Sequence, residues 1–125
     1  MRSKLGNLTG QLKDALQRYL EVMRLEKNDI VRDSAIQRFE FTYELAWKTM
    51  KAYLEEKGLK ELYSPKEVIR SAFQAGIISN DTTWLDMVET RNETSHIYNE
   101  NMAEKVYAKL AAYLPLIEKL LQKLS

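Results

Sequence analysis

Residues 91–98 read Arg-Asn-Glu-Thr-Ser-His-Ile-Tyr and hold the only histidine of the chain. Arg91 stands five residues before His96, Tyr98 two after it, and Asn92 follows the arginine directly. A histidine titrates near neutral pH and can take the proton of a 2′-hydroxyl. An arginine is always charged, and its forked donors can hold a phosphate as negative charge builds up. The chemistry that such a pair supports is phosphoryl transfer within RNA, without a metal. A metal or cofactor site finds no support: there is one histidine, no cysteine and no spaced cluster of His with Asp or Glu. No glycine-rich phosphate loop, Ser-His-Asp order or HExxH is present either.

Spacing limits what one copy can do. On an ideal helix, positions five apart differ in direction by roughly 140°, so Arg91 and His96 do not project side by side. Arg91 and Tyr98 share a face, as do Asn92 and His96. Two copies meeting across a symmetric dimer could bring an arginine and a histidine together. By themselves these residues also fit a plainer reading. Arg91 and His96 would make ordinary polar contacts, Asn92 would be a surface hydrogen-bonding residue, and Tyr98 a core or interface aromatic.

The stretch needs a scaffold, and the composition says of what kind. The 125 residues suit a single domain spanning 1–125, with 45% hydrophobic and 30% charged residues, as in a folded chain. The 4 glycines and 2 prolines are few, as expected of long helices joined by short turns. With 19 Lys+Arg against 18 Asp+Glu, any contact with RNA must be local. The absence of cysteine rules out disulfides. No apolar stretch has the length of a membrane span or a signal peptide, so no membrane association and a cytoplasmic location are expected.

Apolar spacing then predicts five helices in an all-α, up-and-down bundle. Leu5, Leu8, Leu12, Leu16, Tyr19, Leu20 and Met23 recur at steps of three and four, giving a first helix over 3–26. Asn28 or Asp29 can cap a second over 30–57, which Gly58 stops. Its main stripe is Ile36, Phe39, Tyr43, Trp47, Met50 and Leu54. Phe41, Leu45, Ala52 and Tyr53 suggest another, so it is either central or gives one side to a partner chain. Ser64, Pro65 and Glu67 form a capping box for a short helix that Gly76 ends. Asp81 is the expected cap of a fourth, anchored by Trp84, Leu85, Met87 and Val88, which leads into the arginine–histidine stretch. The fifth covers 101–124, with a kink or break at Pro115.

The pattern Arg91-x4-His96-x-Tyr98, with polar Asn92 after the arginine, resembles the motif of HEPN-domain proteins. Ile36, Gln37, Arg38, Phe39 and Glu40, with Glu44, Ala46, Trp47 and Lys48, resemble the second helix of one branch, the nucleotidyltransferase substrate-binding proteins. Pro65, Val68, Ala72, Gly76, Ile77, Ile78, Trp84 and Met87 extend the likeness over about residues 30–110. The resemblance implies a helical bundle that forms a homodimer, with the motif near a cleft at the dimer interface. It implies a minimal nucleotidyltransferase as partner in a two-gene, toxin–antitoxin type of system. Carried over, Arg91 and His96 are the catalytic pair of a metal-independent ribonuclease, Asn92 supports them, and AMP transfer to Tyr98 silences the enzyme. The family also admits a non-catalytic subunit that binds substrate or nucleotide for the transferase. Arg38, Glu40, Glu44 and Lys48 could then line the cleft or meet the partner, although a solvated charged face explains each of them singly.

Overall fold

A computed structural model describes residues 3–124. It contains five helices: α1 (Lys4–Met23), α2 (Asp29–Glu56), α3 (Pro65–Gln74), α4 (Asp81–Thr94) and α5 (Glu100–Leu124). No strand occurs among the described residues. The all-α bundle expected from apolar spacing is the observed fold.

Short polar residues start the helices. Ser3, Asn28, Ser64 and Asn80 each accept a hydrogen bond from the backbone N–H three residues on. Asn80 therefore caps α4 in place of the expected Asp81. Asp81 sits one position inside, where its charge meets the positive end of the helix dipole. Gly58 and Gly76 adopt φ of +94° and +79° after α2 and α3. There the N–H groups of Leu59 and Ile77 reach back to the carbonyls of Leu54 and Ala72, which closes both helix ends. The first helix stops at Met23, short of the expected residue 26, because Arg24 and Leu25 turn to bond Glu21 and Val22 three residues back.

Pro115 does not break α5, which runs unbroken through it. Its ring is exposed, as is Ala111, whose carbonyl loses its partner to the proline and can turn to water. Tyr113, Leu114 and Ile117 meanwhile hold this turn against the core.

The central place of α2 follows from its wide apolar surface: it packs against all four other helices. Ile36, Phe39, Tyr43, Met50 and Leu54 are buried, while Trp47 is partly exposed. Phe39 joins three helices, stacking on Tyr113 of α5 at 5.5 Å and meeting Tyr19 of α1 edge-on at 6.2 Å. Burial pushes the phenol of Tyr19 far above its ordinary value, so its hydroxyl stays protonated and donates to the carbonyl of Leu110. Tyr113 does the equivalent for α4, donating to Asp86 while sharing a hydrogen bond with Thr90. That contact fixes α4 one residue before Arg91.

Candidate functional site

The motif straddles a helix end. Arg91 and Asn92 belong to the last turn of α4, whereas His96 lies in the turn after it and Tyr98 in the connection to α5. The ideal-helix directions expected for His96 and Tyr98 therefore do not apply. Local chemistry ends the helix. Thr94 Oγ1 donates to the Arg91 carbonyl at 2.6 Å and Ser95 Oγ to that of Asn92 at 2.8 Å. The N–H of His96 bonds Glu93 three residues back. Hydroxyls that satisfy backbone carbonyls in this way compete with continued helix.

Arg91 turns toward α2. Its Nη1 lies 3.2 Å from Glu40 Oε2 and donates to Thr94 Oγ1 at 3.0 Å. Its buried Nε sits 3.5 Å from Glu44 Oε1 but lacks a well-aligned hydrogen bond. Glu44 is itself oriented by the indole N–H of Trp47, at 3.1 Å. Nearby Tyr43 has its phenol pushed up by burial first and then by the Glu44 charge, so it stays neutral. Of the other charged residues singled out on this helix, Arg38 donates to the carbonyl of Arg18 and Lys48 is exposed.

Asn92 and His96 do come together. They line a cleft of about 390 Å³ between the end of α4 and the start of α5. Glu89, Asn92 and Glu93 form its α4 wall; Met102, Lys105 and Val106 form its α5 wall. Both triplets are spaced i, i+3, i+4, which puts each on one helix face. The turn closes one end with His96 and Ile97. Arg91 and Tyr98 are not among the lining residues. Tyr98 is 80% exposed. One chain thus brings two of the four singled-out residues to the cleft, with Arg91 bound to α2 and Tyr98 outside the lining.

The start of α5 is anchored separately. Arg32, only 5% exposed, bonds Asp33 at 3.0 Å and Glu104 at 3.1 Å, and Lys27 also binds Glu104. The hydrogen bonds from Lys27 and Arg32 hold the Glu104 carboxyl below the ordinary carboxylate range. Sequence reasoning missed this network, the cleft walls and the docking of Arg91. The only local sign of the last was the four-residue spacing of Glu40 and Glu44, which puts both on one face of α2.

Fold and motif together define a HEPN-like helical protein, and the chain belongs to the family described as nucleotidyltransferase substrate binding protein like, whose model matches residues 4–125. Among its relatives is a protein of Haemophilus influenzae named "Probable ribonuclease HepT". That protein is 37% identical over 93 residues, a match that covers 68% of this chain and 64% of the relative. The chain therefore spans less than two-thirds of that relative's length. A crystal structure from Thermus thermophilus superposes with a TM-score of 0.84 at 40% identity, covering 90% of this chain and 98% of the other. A second solved structure, from Haemophilus influenzae, has a TM-score of 0.79 at 28% identity and covers 97% and 98%. It is described as revealing the fold of a substrate binding domain of a nucleotidyltransferase. No described helix is long and apolar enough to cross a membrane.

Proposed function

We propose that this chain is the HEPN component of a two-gene nucleotidyltransferase system, a cytoplasmic, metal-independent endoribonuclease that acts as a homodimer. The observation that carries the reading is His96, exposed and lining a cleft that it shares with Asn92. The ribonuclease name of the 37% identical relative supports it. His96 takes the proton of a 2′-hydroxyl; the freed oxygen attacks the adjacent phosphorus, forming a 2′,3′-cyclic phosphate. The P–O5′ bond breaks, and the departing oxygen takes a proton from a water that recovers one from His96. Arg91, once it leaves Glu40 and Glu44, stabilises the charge gathering on the phosphate, and the meeting of two protomers brings it to His96. Tyr98 is exposed and open to a partner enzyme, and AMP placed there adds bulk and negative charge next to the turn that carries His96.

A second reading is favoured by Arg91 itself, whose charge is already engaged by Glu40 and Glu44. A chain whose arginine stays engaged would bind a nucleotide for the transferase and cut nothing. Expression without the partner separates the two. The nuclease reading predicts that wild-type protein arrests growth, that His96→Ala relieves the arrest, and that co-expressed transferase adds AMP to wild type but not to Tyr98→Phe. A harmless wild-type protein, free of AMP by intact mass, would sink it.

A further inference from the structure

We infer that Lys105 holds the phosphate of the nucleotide bound in the cleft beside His96, a role that rests on the nucleotide-handling reading of that cleft. The charges around the cleft single this residue out. Two carboxylates stand at the α4 wall, and each is paired with a lysine outside the lining: Glu89 with Lys66 at 3.2 Å, Glu93 with Lys109 at 3.6 Å. Arg91 is occupied on the α2 side by Glu40 and Glu44. Among the described residues Lys105 has no ion pair, and it is the one lysine or arginine that lines the cleft. An anion entering meets Lys105 as an uncommitted point charge, facing His96 and Asn92.

The rest of the lining suits the remainder of a nucleotide. Ile97 and Met102, with Val106 beneath them, give an apolar surface against which a base can lie. A volume of about 390 Å³ falls in the range of small-molecule sites. Spacing places Met102, Lys105 and Val106 on one face of α5, so base surface and phosphate cation arrive together. The ligand chemistry is a purine or pyrimidine carrying a phosphate, either one residue of RNA or a free mononucleotide.

The test uses two probes on the full chain: a fluorescent 2′-O-methyl RNA, which cannot be cut through its 2′-oxygen, and AMP. Lys105→Ala should weaken binding by about tenfold, the worth of one charge-assisted contact. It should also lower the salt slope of RNA binding by about one. Lys105→Arg keeps the charge and should bind within about twofold of wild type. Lys13→Ala, on the exposed outer face of α1, is the control and should bind as wild type. Thermal melts should be unchanged, since Lys105 is exposed. Tight binding of RNA alone identifies the polymer as ligand, and of AMP alone the free nucleotide. Lys105→Ala binding both probes like wild type overturns the assignment, as does a wild type that binds neither. Wild type that binds 2′-O-methyl RNA through Lys105 yet cuts no ordinary RNA keeps the assignment and ends the nuclease reading.

Discussion

Neutralising Glu40 should loosen the hold on Arg91, and the size of that effect follows from the contact. The Arg91 side chain is 29% exposed and Glu40 32%, with 3.2 Å between Nη1 and Oε2. Fully exposed pairs contribute about 0.2–1 kcal/mol. Removing one partner from a fully buried pair costs about 3–5 kcal/mol, because a charge is left uncompensated. This pair lies between those limits. Glu44 still faces Arg91 after the change, so a coupling of about 1 kcal/mol is expected for Arg91 with Glu40. The assay is a double-mutant cycle by urea denaturation, with wild type, Glu40→Gln, Arg91→Gln and the double variant at equal m-values. Part of the coupling should survive high salt, since the contact is two-thirds covered. Additive effects to within about 0.3 kcal/mol would mean that Arg91 stands free in water. The division between an engaged arginine and an uncommitted lysine would then fail.

Acid should erase the contribution of Glu104. Its carboxyl is held below the ordinary range by Lys27 and Arg32 in the folded chain, so it binds a proton less readily there than when unfolded. The stabilisation is fully present above the unfolded value and is lost as pH falls through the folded one. Wild type should therefore melt higher than Glu104→Gln at neutral pH, with the gap closing in the acid range; a gap independent of pH would contradict the linkage. Phe39→Ala removes the ring that joins α1, α2 and α5, and should cost about 3–5 kcal/mol in urea denaturation. A loss under about 1 kcal/mol would place Phe39 outside a close-packed core. Pro115→Ala restores a donor within a helix whose proline ring is exposed, and should raise stability by about 1–3 kcal/mol, read from the same denaturation curves.

The bundle was legible because its information is local. Apolar steps of three and four mark five helices, Ser64-Pro65-Lys66-Glu67 starts one, and Gly58 and Gly76 end two at left-handed positions that few other residues adopt. Where the reading erred, neighbouring groups competed for the same backbone atoms. Asn80 took the cap expected of Asp81, and Thr94 with Ser95 ended α4 before His96. Pro115 misled for another reason, since burial of Tyr113, Leu114 and Ile117 outweighs one missing hydrogen bond. The site was only half legible. Asn92 and His96 share a cleft, but the pairing of Arg91 with Glu40 and Glu44 joins residues about fifty positions apart, and no periodicity reports it. Lys105 went unnoticed because its meaning lies in which other charges are already paired.

The proposed chemistry of His96 acts on RNA without a metal. Its most direct test is cleavage of a mixed RNA substrate in EDTA by purified protein whose intact mass shows no AMP, beside His96→Ala. Wild-type protein should give products ending in 2′,3′-cyclic phosphate, and His96→Ala a rate at least about a hundredfold lower. Equal rates from the two proteins, or no cleavage by either, would contradict it.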